Sequence, residues 1–187
     1  MMKRPLLALL LLCLATPAWP QTVTRAEIEG AVITVAAVSR EEIVRGGQQM
    51  TVELHTTGRV TVRGGSIQSQ FESTSVNQTT GRSRSGATGA MTSALDKPGQ
   101  GAQGSDVLWT FTNGSLVRLR VFTGGAGGQK MTISFRHAAN GLACSFSMPM
   151  AREVGVGRLH KGSAIDNTPI DILQFRTVSS NCSVSKG

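Results

Sequence analysis

Between Asp106 and Met148 apolar and polar residues alternate in runs of strand length: Val107–Phe111, Leu116–Phe122, Lys130–Arg136 and Leu142–Met148. Turn chemistry separates them at Asn113-Gly114, Gly124–Gly128 and Asn140-Gly141, so the stretch predicts an antiparallel meander. Strand side chains alternate with period two. Val117, Leu119 and Val121 therefore share one face of their strand, and Met131, Ile133 and Phe135 share one face of the next. Pairing 121 with 131, 119 with 133 and 117 with 135 gathers all six on a core face. Arg118, Arg120, Lys130 and Arg136 then fall on the wet face, as in a sheet solvated on one side. The following hairpin, with 135 opposite 142 and 133 opposite 144, turns Cys144 inward beside Ile133.

Upstream, Ile28, Val32, Ile33, Val35 and Val38 mark Glu27–Val38 as a mostly buried strand. Ser39–Gln48 reads as a polar connection ending in Arg45-Gly46-Gly47, with Glu41 and Glu42 in a solvated loop. Met50, Val52 and Leu54 alternate again. Thr56-Thr-Gly-Arg59 recurs as Thr79-Thr-Gly-Arg82, and both glycines suit tight turns with positive φ. Ser66–Gln78 and Arg82–Ser93 have few apolar residues, which predicts a hairpin at an edge or projecting from the body. Residues 94–105 form a loop rich in glycine inside one domain. After Pro149, Ala151–Gly157 suits a short helix or irregular crossing, and Ile170–Val178 is the last long strand. The fold class predicted is all-β: a single antiparallel up-and-down barrel or sandwich of about eight to ten strands. A membrane barrel fits poorly, because there is no Tyr for the aromatic girdles.

Residues 1–18 change the setting rather than the fold. Lys3 and Arg4, the apolar run Leu6–Ala15 and Thr16-Pro17-Ala18 have the form of a cleaved export signal. That leaves residues 19–187 as one β-rich domain, destined for the periplasm or the medium. Cleavage also removes Cys13, leaving Cys144 and Cys182, an even number in an oxidising compartment. A disulfide between them is expected, closing a loop of roughly 39 residues for about 4 kcal/mol in the chain-entropy model.

Charge is positive, +8 over the full chain, with 4% aromatics. An exported chain so poor in stacking surface does not suit nucleic acid. The four cations Arg118, Arg120, Lys130 and Arg136 form a candidate anion-binding face, for an anionic envelope component or another exported protein. His55, His137 and His160 are scattered without metal-ligand spacing. No Gly-x-Ser-x-Gly elbow occurs, and Gly124–Gly128 lacks the Lys-Ser/Thr that a phosphate loop needs. Arg-Gly-Gly at 45–47 and at 63–65 falls at predicted turns. No cofactor is implied.

At Gly141-Leu-Ala-Cys144, Ala151-Arg-Glu-Val-Gly155 and Ser180-Asn-Cys182 the chain resembles small secreted proteins of Gram-negative bacteria. The resemblance implies export and the cysteine pairing, and brings no activity with it. The function expected is an exported, non-catalytic binding or envelope-associated domain. The alternative is a hydrolase-like enzyme assembled from dispersed His, Asp and Ser residues, for example His137 with Asp106 or Asp171.

Overall fold

The computed structural model describes residues 22–87, 89–100, 105–122, 128–148 and 170–187. Residues 1–18, read as an export signal, and Ala151–Gly157 and His160 lie outside them. One short helix, α1 (Arg25–Ile28), precedes β1 (Ala31–Arg45), β2 (Gln48–Arg63), β3 (Ser66–Asn77), β4 (Ser83–Ala87), β5 (Met91–Ala94) and β6 (Pro98–Gln100). Then come β7 (Ser105–Thr112), β8 (Ser115–Phe122), β9 (Gly128–Ala138), β10 (Gly141–Ser147) and β11 (Ile170–Lys186). Sheet A runs β11-β1-β2-β3-β4, with β5 also on β3, and sheet B runs β10-β9-β8-β7-β6. All the strand pairs are antiparallel. The two sheets face each other across one core, so the all-β prediction resolves to a sandwich rather than a closed barrel. Eleven strands are described, slightly more than expected.

Three hairpins turn on residue pairs that both hold positive φ: Gly46-Gly47, Gly64-Gly65 and Asn113-Gly114. Such pairs match the right-handed twist of the flanking strands and fix a two-residue loop. Both Arg-Gly-Gly stretches are thus hairpin ends. Several sequence expectations change once these turns are in place. Ser39–Gln48 is no connection: β1 continues to Arg45 and pairs residue by residue with β2 up to Gln48. Glu27 and Ile28, expected at the start of the first strand, belong instead to α1, because the Glu27 carboxylate accepts from the Thr24 N–H (2.7 Å) and Oγ1 (2.8 Å) in a capping box. Gly81 does occupy a turn, at φ +70, but Gly58 lies in the middle of β2, opposite Val35 and Phe71. The segment from Ser66 is also more central than its polarity suggests. It forms β3, with Ile67, Ser69 and Phe71 buried, while only β4 is exposed along its length.

The largest departure is the register of the meander. Observed partners are Leu116–Ile133, Arg118–Met131 and Leu119–Lys130, an odd offset that exchanges the two faces of β8. The cause lies one strand earlier. Asn113-Gly114 locks Thr112 opposite Ser115, which makes Phe111–Leu116 and Trp109–Arg118 cross-strand pairs. Trp109 and Val107 are fully buried. Burying that strand face forces Leu116 and Arg118 inward and Val117 and Leu119 outward. In the next hairpin Cys144 stands opposite Phe135 and Phe146 opposite Ile133, two residues from the expected pairing but on the expected face.

The core takes Ile33, Val35, Val60, Val62, Ile67 and Phe71 from sheet A. Sheet B supplies Val107, Trp109, Leu116, Met131, Ile133 and Phe146, and Ile28 of α1 closes one end. The chain passes between the sheets at Leu95, whose N–H donates to Gly65 O in the β2–β3 turn (2.9 Å). Leu95 also forms a parallel bridge with Trp109 of sheet B. The long loop expected at 94–105 is therefore partly strand. At the other side β10 and β11 share no ladder but are joined by the Cys144–Cys182 disulfide, with Cα atoms 5.6 Å apart. Strand β11 bulges twice against β1, leaving Val178 and Leu173 without partners there; they are 54% and 56% exposed.

Two outcomes follow from this packing. A Cβ on Gly58 would stand 2.3 Å from Phe71 Cδ1 and 3.1 Å from Val35 Cγ2. Because Phe71 is hemmed in by Trp109, Gly58→Ala should lower unfolding free energy by about 1–3 kcal/mol in urea titration. Replacing both Cys144 and Cys182 by Ala should cost about 2–5 kcal/mol by the same measurement.

Candidate functional site

The four cations expected to share one face do not assemble. Arg118 is 2% exposed and lies in the core. Its guanidinium carbon sits 5.1 Å from the centre of the Phe71 ring, and Nη1 points at Met131 Sδ, 3.7 Å away. Phe71 also stacks on Trp109, with centroids 6.5 Å apart and planes at 18°. Arginine suits this place better than lysine, because its planar, weakly hydrated cation lies flat on an aromatic face. Lys130 and Arg136 are exposed on the outer face of sheet B. Arg120 falls opposite Val107 and Gln129 in the ladder, and its side chain lies outside the described set.

Two histidines are placed, each against a glutamate. His137 Nε2 meets Glu27 Oε1 at 2.8 Å, joining β9 to α1. Glu27 thus gives His137 an acidic partner; the side chains of Asp106 and Asp171, the examples offered for it in the sequence reading, lie outside the described set. Glu27 divides its carboxylate, one oxygen to Thr24 and one to His137. The His137 and Thr24 hydrogen bonds hold its pKa down at about 2. Both side chains are more than 40% exposed, 42% and 41%. The chemistry this arrangement offers is an oriented imidazole on an open surface. His55 Nε2 meets Glu53 Oε1 at 2.8 Å, and Arg40 Nη2 donates to Glu53 Oε2 at 3.1 Å. The Arg40 hydrogen bond first, then that of His55, holds the Glu53 carboxyl below its ordinary range.

Glu41, read from the sequence as a loop residue, instead stands between Val52 and Phe175 in the ladder of sheet A. Burial there pushes its carboxyl above the ordinary range. The outer face of sheet A carries a shallow trough of about 310 Å³, lined by the short Thr34, Ala36 and Thr57 and the longer Arg59, Gln70 and Glu72. Short side chains beside long ones on adjacent strands create it, a pattern hidden until the ladder is known. Among the described residues no group of three or more His, Cys, Asp or Glu could hold a metal ion. No described helix is long and apolar enough to cross a membrane.

Comparison with protein-family models, with curated proteins and with solved structures yielded no match.

The Glu27 clamp has a pH signature. Its folded pKa lies below the unfolded value, so its contribution is complete above pH 4.5 and is lost as pH falls toward 2. In chemical denaturation from pH 6 to pH 2, the stability difference between the parent and Glu27→Gln should therefore shrink below about pH 4.5 and vanish near pH 2.

Proposed function

We propose that the chain is an exported, disulfide-stapled β-sandwich that acts by binding at the cell envelope, without chemistry of its own. The observation that carries this reading is the cysteine pair. The two cysteines left by the expected leader cleavage are joined to each other, across the seam between the sheets. A structural disulfide of this kind belongs to an oxidising compartment. Without Lys3 and Arg4 of the expected leader the full chain's +8 becomes +6, which still adds attraction to acidic envelope material. The placement of the titratable groups agrees with a binding role: Glu27 and Glu53 are engaged in surface clamps that tie elements together.

A hydrolase-like enzyme is the second reading, favoured by the 2.8 Å contact between His137 and Glu27. In such a site Glu27 would orient the ring and His137 would serve as general base. Hydrolysis of generic ester or amide substrates abolished by His137→Ala, with stability retained, would establish it.

Export is the decisive arm for the binding reading. Expressed with its leader in a Gram-negative host, the chain should appear outside the cytoplasm, shortened after Ala18 and without free thiol when labelled under denaturing, non-reducing conditions. A full-length chain retained in the cytoplasm with Cys144 and Cys182 both labelled would refute it.

A further inference from the structure

Sandwich strands ordinarily turn polar side chains to water, but β8 does the reverse, holding Arg118 inside and setting Leu119 outside. Across sheet B, Pro98, Leu108, Leu119 and Lys130 are successive partners on β6, β7, β8 and β9. Thr110, Val117 and Thr132 make the adjoining row. Leu119 is 37% exposed, and Leu108 and Val117 are partly so. Lys130 and Arg136 share this face, both exposed, and neither is ion-paired among the described residues. The result is a short apolar row with a basic margin.

We propose that this face docks on the surface of an anionic phospholipid bilayer, with Leu108, Val117 and Leu119 at the headgroup boundary and Lys130 and Arg136 on lipid phosphates. The proposal rests on the envelope-binding reading and names its partner. Charge chooses that partner. Lys130 and Arg136 lie six residues apart on one strand, about 20 Å, too far to share one phosphate or carboxylate but well spaced for a continuous charged sheet of headgroups. A second copy of the chain is a poorer occupant, because two-fold pairing of this face would bring its cations toward their own counterparts. Apolar side chains beside cations also fit the bilayer boundary, where burial and charge attraction add.

The test is flotation of the purified, oxidised protein with vesicles of phosphatidylcholine alone or mixed with phosphatidylglycerol. Binding should require phosphatidylglycerol and weaken as salt rises through about 0.15 M. Lys130→Gln with Arg136→Gln should weaken it roughly 25-fold, about five-fold for each charge removed. Leu119→Ser should weaken it several-fold, and Arg63→Gln, exposed at the end of β2 on the other sheet, should leave it unchanged, with melting temperatures confirming each fold. No binding to phosphatidylglycerol vesicles at low salt would overturn the assignment, as would equal binding by the Leu119 and Lys130/Arg136 variants. A dimer in gel filtration that Leu119→Ser abolishes would give the face to a second copy instead. If vesicle binding fails while the exported, oxidised chain still fractionates with the envelope, the envelope-binding reading stands and the lipid assignment falls. A cytoplasmic, reduced chain would remove both.

Discussion

The guanidinium of Arg118 lies on the face of Phe71 in the middle of the sandwich, and much else in the structure is arranged to allow it. A charge in a protein interior loses its hydration, which costs several kcal/mol unless other groups replace the lost water. An aromatic face at 5.1 Å returns about 2 kcal/mol when the pair is dry. Phe71 reaches that position because residue 58 has no side chain to block the ring. Trp109 then flanks the ring in sheet B. Gly58, Phe71, Trp109 and Arg118 thus form one unit spanning both sheets, and none of the four can change size without disturbing the others.

The same unit explains which parts of the fold were legible in the sequence. The four meander strands β7 to β10, the Asn113-Gly114 and Arg-Gly-Gly turns, and the pairing of Cys144 with Cys182 were readable, because turn residues and cysteine count act locally or through compartment. The register of β8 was not. Counting apolar residues on β8 and β9 alone favours burying Val117, Leu119 and Val121. The structure obeys β7 instead, where a fixed turn and a single Trp outweigh three smaller side chains. Gly58 misled for a related reason. A glycine after two threonines has the composition of a turn, and only the ring opposite reveals that it serves a close approach.

The candidate sites follow the same division. His137 was visible as chemistry, but its partner Glu27 was placed in the sequence reading on a strand. The capping box at Thr24–Glu27 could have located that short helix, since Thr-x-x-Glu before an apolar residue is its sequence signature. The trough at Thr34, Thr57 and Gln70 had no such signal, because it arises from side-chain lengths on three strands brought together by pairing. The basic margin of sheet B was legible in Lys130 and Arg136, but the apolar row beside it was not, because only the register turns Arg118 inward and Leu119 outward.

Strand order also sets a timetable. β1 lies between β2, its neighbour in sequence, and β11, which pairs Ala31 with Lys186. β2 can close its hairpin as soon as it is made, but the other edge of β1 must wait for β11, after all of sheet B. Pairings between such distant segments are slow, because the entropy of closing the loop must be met before the contacts reward it. Cys182 lies in β11, so its bond to Cys144 has the same clock. During that interval Ile33 and Val35 belong to a strand with one side unpaired. The waiting chain is therefore most exposed to misassembly at the strand that later becomes an interior member of sheet A.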